Sequence, residues 1–292
     1  MSLTGIAKET LQIIETGSYV GPSGLKVSLK AEIDRAVKGT VLYRPQDKLD
    51  STEFDRNKLD SNGIANSGSP TQEKHSTRIE VTNETTTTVA RRLIFAEGLR
   101  NIVGLSFASA KNPGGGFLGG AKAQEEDLAR ASALYACLLT QKDYYDANRE
   151  HDSLLYTDHI IYSPEVPFFR EDGRRLLDIP FLLSIITAPA PNAGEVLRRD
   201  PQAEAQIHET LERRAGRVLA IASAHRHKVL ILGAWGCGVF RNHPFDVANV
   251  FAEHLLSDKF RQAFELVVFA VYDPSPSQKT WLAFNERFTR QK

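Results

Sequence analysis

Cysteine is scarce in this chain. Its 292 residues include two, Cys137 and Cys237, far apart. They form no CxxC pair and no Cys/His cluster, so neither a zinc finger nor a disulfide scaffold is expected. Lone cysteines in a chain of this size imply reduced thiols and a cytoplasmic setting. An excess of one charge is also missing. The 36 Lys and Arg balance 36 Asp and Glu, a formal net charge of +0. Holding nucleic acid by counterion release needs a basic excess or a basic face, so direct nucleic-acid binding is not expected. The opening MSLTGIAKETLQIIETG has charges throughout and no long apolar run. It reads as neither a signal peptide nor a membrane span. The remaining composition, 41% hydrophobic and 25% charged, is ordinary for a soluble globular protein. The length suits one large α/β domain with an extension.

Residues 6 to 16 place Ile6, Leu11, Ile13 and Ile14 among charges, as in a short helix. Residues 26 to 43, KVSLKAEIDRAVKGTVLY, alternate weakly, which predicts a hairpin or short strands. Residues 44 to 77 are polar and rich in Asp, Ser, Asn and Gly. They read as a long mobile surface segment, either a linker or a loop over a substrate. The expected division is an N-terminal extension over 1–76 and a main domain over 77–292. In the latter, strand and helix alternate. TRIEVT (77–82) is a strand, then a helix with Asn83 as N-cap and Glu84 in its first turn. NIVGLSFASA is a strand and EEDLARASALYACLLT a helix. HIIYSP and IPFLLSIITAPAP are read as separate strands, followed by a long charged helix over 201–226. KVLILG and FELVVFAVYD are further strands, each followed by a helix. The strands are continuously apolar, as in a sheet covered on both faces. Ligands of such folds sit outside the carboxyl ends of the strands.

Two glycine-rich loops follow strands. NPGGGFLGG (112–120) lacks the Lys-Ser/Thr of a P-loop and the spacing of a dinucleotide fingerprint. Consecutive glycines let N–H groups converge on an anion, and a helix start adds positive potential. A diphosphate fits that arrangement; a tight turn with no ligand is the alternative. GAWGCGVFRNHP (233–244) is the second loop, placed to clamp the same diphosphate. Phe240 then stacks on a sugar or base, or belongs to the core. Trp235 reads as core. Cys237, between glycines, reads as a small residue beside a ligand rather than a nucleophile, although His243 is near in sequence.

Glu125 and Glu126 open the next helix. Adjacent helical residues project about 100° apart, so they cannot serve one atom in the same way. One attends to bond cleavage and the other to a neighbouring group, or both merely favour the helix dipole by ~0.3–1 kcal/mol. The helix start lowers a carboxyl pKa, while burial and a like charge raise it.

Gly114-Gly115-Gly116, seven intervening residues and Gln124-Glu125-Glu126 resemble the GGG-x(6–8)-QEE motif of poly(ADP-ribose) glycohydrolases. VTNETT, SFASAKNPGGGFLGGAKAQEEDLARASALY and LGAWGCGVFRNHP are similar to the bacterial-type branch, and the resemblance covers about residues 78–273. It implies a macrodomain-like fold, a three-layer α/β/α sandwich with a mixed central sheet, plus an N-terminal mostly helical extension. It implies that Gly114, Gly115 and Gly116 wrap the diphosphate of ADP-ribose. Gly236, Cys237, Gly238, Val239 and Phe240 would enclose its other side, with Phe240 on the terminal ribose. Glu126 would be the catalytic acid/base, while Glu125 and Gln124 orient the riboses and the site. Asn83 or Glu84 would meet the adenine, and Asn112 the ribose hydroxyls. The implied substrate is poly(ADP-ribose), on ADP-ribosylated proteins, and the product ADP-ribose. No cofactor and no metal are expected, and the chain is expected to be a monomer. Two rivals share the fold: a non-catalytic ADP-ribose reader, against which the Gln-Glu-Glu triplet speaks, and a mono-ADP-ribosyl-protein hydrolase.

Overall fold

The computed structural model describes residues 1–49 and 77–289. The chain opens with α1 (Leu3–Thr16), capped by the Ser2 hydroxyl and ended by Gly17 at φ 66°. Its buried Ile6, Ala7, Thr10 and Ile13 recur at helical spacing and face inward. A ribbon of β1 (Ser18–Val20) and β2 (Lys26–Ser28) follows. Next come α2 (Lys30–Gly39) and β3 (Val41–Tyr43). Of the two readings of 26–43, the short strands are present at 26–28 and 41–43, but no hairpin joins them: the helix α2 lies between. Ile33 and Ala36, three apart, are both buried. Burying one Ile side chain is worth roughly 1.5–3 kcal/mol, which outweighs a β-propensity spread of about 1 kcal/mol.

The main sheet adds β4 (Arg78–Thr82), β5 (Ile102–Phe107), β6 (Ile160–Glu171), β7 (Arg175–Ala188), β8 (Val229–Leu232) and β9 (Leu266–Ala270). Its seven strands run in the order β3-β6-β7-β5-β8-β9-β4. From β7 to β4 all neighbours are parallel, while β6 is antiparallel to both β7 and β3. The sheet is mixed, as expected. Residues 41–43, from the N-terminal extension, thus supply an edge strand. Most of the polar segment, residues 50–76, lies outside the described residues, as does the expected boundary at 76.

The helices are α3 (Thr86–Arg91), α4 (Gln124–Ala131), α5 (Leu134–Leu139), α6 (Lys142–Glu150), α7 (Ala193–Arg199), α8 (Glu204–Ala224), α9 (Pro244–Leu256) and α10 (Lys279–Thr289). Val103, Leu105, Leu230, Leu232, Val267 and Phe269 bury one sheet face with Leu219 and Phe251 of α8 and α9. Ile102, Val229, Ile231, Leu266 and Val268 bury the other with Ile33, Val89 and Leu138. In β8 and β9 successive residues serve opposite cores, hence their unbroken apolar runs, whereas the edge strand β4 carries Arg78 and Glu80. Among the described residues no helix is long and apolar enough to cross a membrane.

Three more expectations change. HIIYSP and IPFLLSIITAPAP belong to one long antiparallel pair, β6 and β7, joined at Asp172-Gly173. The helix over 125–140 breaks at Ser132, whose backbone is extended and bridges to Phe168. Thr85, not Asn83, caps α3 by accepting the Thr88 N–H. Asn83 instead exchanges hydrogen bonds with the Asp273 backbone, at 2.8 and 3.2 Å.

A largely buried His/Tyr group joins β3 and β6 to the turn before β8. Tyr43 Oη is 2.7 Å from His225 Nε2, and Tyr162 Oη is 2.9 Å from His227 Nε2. Burial, then the neighbouring His227, pushes His225 down to about 4. Burial also lowers His227, against the opposing pull of the Asn101 carbonyl. The folded protein refuses protons that the unfolded chain accepts near pH 6.5. This stability is present above about pH 6.5 and is lost as pH falls toward about 4. The melting temperature is expected to fall across that window, and less steeply in His225→Gln. Identical profiles for the two proteins would contradict this.

Candidate active site

The carboxyl ends of β4, β5, β7, β8 and β9 lie at one edge of the sheet, and the motif loops leave from there. After β5 the chain passes through Ser109 and Asn112 into the three glycines. Gly114 and Gly115 have φ of 66° and 58°, the left-handed region that suits glycine. A Cβ on Gly115 would lie 2.3 Å from Glu126 Oε1 and 3.0 Å from Glu125 Oε2. Only glycine leaves room there for the two carboxylates.

Those carboxylates are tied to the loop. Glu126 Oε1 accepts the Gly116 N–H at 2.9 Å, and Glu125 Oε2 accepts the Ser109 N–H at 2.6 Å. Gly115 donates to the Asn112 carbonyl at 3.0 Å. The N–H groups of Gly115 and Gly116 therefore already have acceptors, a different arrangement from three donors aimed at one anion. Gln124 Oε1 accepts the Phe107 N–H at 2.9 Å. Its Nε2 donates to the Leu105 carbonyl at 2.8 Å and to Thr86 Oγ1 at 3.1 Å. It pins the start of α4 to the end of β5.

Glu125 and Glu126 are 2% and 8% exposed, and each keeps one buried oxygen, Glu125 Oε1 and Glu126 Oε2, without a protein partner. Burial pushes the Glu125 carboxyl well above the usual range. The Ser109 N–H opposes this, and the Glu126 charge adds to it.

The second loop leaves β8. Asn242 Nδ2 donates to the Pro191 carbonyl at 2.8 Å and to the Gly236 carbonyl at 3.0 Å. Gly236 has φ 72°, and a Cβ there would lie 2.4 Å from the Ala190 Cβ. Gly238 and Val239 are exposed. The N–H groups of Gly238, Val239 and Phe240 have no acceptor among the described residues. The Phe240 ring leans on Tyr156 at 5.9 Å. Trp235 is fully buried, with its Nε1 donating to the Ala188 carbonyl at 3.0 Å, and is core as expected. Burial pushes the Cys237 thiol up, so it is a neutral wall residue and no thiolate nucleophile.

Between the loops is a cavity of about 430 Å³ lined by Asn112, Gly115, Gly116, Gln124, Glu125, Glu126, Gly236, Gly238, Val239 and Phe240. A second cavity of about 360 Å³ shares Phe107, Gln124, Ala234 and Gly238 with it. Glu84, Thr85, Thr87, Lys122, Cys237 and Tyr272 line that one. Together they form one groove across the strand ends. The predicted residues thus gather along it, with two exceptions. The Asn83 amide is occupied by the Asp273 backbone, and Gly114 is buried beneath the loop.

The family "Microbial-type PARG, catalytic domain" matches residues 7–171. Curated protein sequences contain no match. Among solved structures, poly(ADP-ribose) glycohydrolase from Thermomonospora curvata is 45% identical with a TM-score of 0.84. The alignment covers 98% of this chain and 99% of that one. The chain belongs to the microbial-type poly(ADP-ribose) glycohydrolase family. The T. curvata protein bound to the inhibitor ADP-HPD gives 44% identity and a TM-score of 0.83, over 98% of this chain and 99% of that chain. The Deinococcus radiodurans glycohydrolase in complex with ADP-ribose is 46% identical, with a TM-score of 0.78, over 91% of this chain and 100% of that chain. The macrodomain-like fold of these glycohydrolases is the fold described above.

Several groove residues went unread in the sequence. Ser109 offers its backbone, which no side-chain pattern reveals. Asn242 sits inside FRNHP, yet one of its two partners, the Pro191 carbonyl, comes from a distant loop after β7. Tyr272 lines the groove, and Tyr156 backs it by packing on Phe240, both from segments without a motif. Tyr272 is 62% exposed at its rim, unusual for a large aromatic.

Proposed function

We propose that the chain hydrolyses the ribose–ribose O-glycosidic bonds of poly(ADP-ribose), releasing ADP-ribose, with Glu126 as the group that moves the proton. One observation supports this most: Glu125, held by Ser109, and Glu126, held by Gly116, line one cavity, each with one oxygen unpartnered, and the last position of the Gln124-Glu125-Glu126 motif favours Glu126 as the proton carrier.

The nucleoside end of ADP-ribose fits the 360 Å³ cavity, where Glu84 is the better adenine contact because the Asn83 amide is already occupied. Tyr272 offers a ring at its rim. The diphosphate takes the unpartnered N–H groups of Gly238, Val239 and Phe240. The terminal ribose then lies between Phe240 and the two glutamates, within reach of Asn112. Glu126 protonates the departing 2′-oxygen as the anomeric carbon gains oxocarbenium character. The same carboxylate next takes a proton from the attacking water. A neutral Glu125 removes the like charge beside Glu126 and presents a donor to a ribose oxygen. The protein acts as a monomer on ADP-ribosylated proteins.

Polymer-modified and mono-ADP-ribosylated proteins, incubated separately, test the reading. Release of ADP-ribose from polymer, with the protein-linked stub left, is the expected result. No release, or clearance of mono-modified protein alone, would contradict it. Asn242→Ala removes both clamps on the second loop. Losing two hydrogen bonds that position the diphosphate donors should weaken ADP-ribose binding roughly tenfold by calorimetry. Unchanged affinity would exclude the loop as the diphosphate site.

A further inference from the structure

The β6–β7 hairpin ends far from both glycine loops in sequence, yet its tip touches the groove wall. Asp172 and Gly173, with φ of 47° and 63°, are the central residues of a tight turn closed by Arg174 N–H to the Glu171 carbonyl at 2.9 Å. Two positive φ values in a row define the turn that matches strand twist. The Asp172 carboxylate leaves the hairpin and meets the start of α3. Its Oδ1 accepts hydroxyls from Thr85, Thr87 and Thr88 at 2.7, 2.8 and 3.2 Å. Glu171 pairs with Arg91, at the far end of the same helix. Gly173 lies against α4, where an added Cβ would be 3.2 Å from the Asp127 carbonyl. The tip is held on two helices at once.

Those threonines are not remote from the groove. Thr85, Thr86 and Thr87 line the 360 Å³ cavity, and Thr86 accepts from the Gln124 amide. Three hydroxyls converging on one carboxylate oxygen leave the α3 start little freedom, and a negative charge suits a helix N-terminus. Without the carboxylate, the three side chains could rotate and the wall would reorganise.

We propose that Asp172 is a positioning residue for the nucleoside end of the groove: through Thr85 and Thr87 it fixes the cavity wall, and so sets affinity for ADP-ribose rather than the chemical step. This rests on the reading that the cavity holds the nucleoside. Asp172 touches no substrate, and Glu126 stands on another element, so the effect belongs in KM and not in kcat.

The test compares wild type, Asp172→Asn and Asp172→Ala by ADP-ribose calorimetry, steady-state polymer hydrolysis and melting temperature. The Ala variant should raise Kd and KM roughly five- to tenfold. The Asn variant, which keeps one acceptor oxygen, should raise them less. In both, kcat should stay within about twofold of wild type. Kd unchanged in both variants would overturn the proposal, and so would kcat falling as far as kcat/KM. Should the Ala variant not fold, the near-isosteric Asn variant decides on the same criteria. Wild type failing to bind ADP-ribose would overturn the functional reading as well, which separates that failure from one confined to the variants.

Discussion

Glu126→Gln should lower polymer turnover by roughly 10²–10⁴-fold, the usual contribution of a positioned proton donor. ADP-ribose affinity should stay within about threefold, because the proton transfer contributes only in the transition state. Glutamine keeps the size of the side chain and an oxygen that can accept the Gly116 N–H, a bond of 2.9 Å in the native protein. The loop should therefore hold its shape. What is lost is a transferable proton at the unpartnered oxygen. Initial rates of ADP-ribose release, beside calorimetry, measure both quantities. Turnover near the wild-type level would remove Glu126 from the mechanism. Glu125→Gln should cost less. Burial already favours the neutral form of Glu125, which an amide imitates, so the loss there comes through positioning.

Gly115→Val carries the second large effect. At φ 58° a β-branched residue is strained by about 1–3 kcal/mol. Its Cβ would also fall 2.3 Å from Glu126 Oε1, so the carboxylate must move. A displacement of about 1 Å at a reacting group commonly costs ~10²-fold in rate, and at least that loss of turnover is expected. Affinity for ADP-ribose should fall by a smaller factor, since the proposed diphosphate donors are on the Gly238–Phe240 loop. From the sequence, this valine is expected to block backbone approach to the diphosphate. The structure moves the expected damage from binding to catalysis. Rate and affinity falling equally would favour the first view.

That contrast shows where sequence was informative. GGG, seven residues and QEE could be read as one device because all its parts lie within thirteen residues. The central strands β8 and β9 were legible because successive residues such as Leu230 and Ile231 bury opposite faces, leaving no polar position. The direction of the glycine N–H groups was not legible, because it depends on where the glutamate side chains fold back. Asn83 has the residue type of an N-cap, but a contact with Asp273, 190 residues away in sequence, claims its amide. Asp172-Gly173 was readable in principle: Asp-Gly between apolar runs is a strong hairpin signal. Ser163-Pro164 hides it by reading as a strand end, whereas the strand bulges there and continues to Glu171. The α2 helix was lost to a weak alternation that its burial pattern contradicts.

In the proposed mechanism one groove sets the diphosphate against the second loop and so delivers the terminal ribose to Glu126. A crystal structure of the protein with ADP-ribose tests it most directly. Diphosphate oxygens are expected at about 3 Å from the N–H groups of Gly238, Val239 or Phe240, and the anomeric oxygen of the terminal ribose at about 3 Å from a Glu126 carboxylate oxygen. A terminal ribose outside the cavity lined by Glu126, or one that meets Glu125 while Glu126 has no ligand contact, would contradict it.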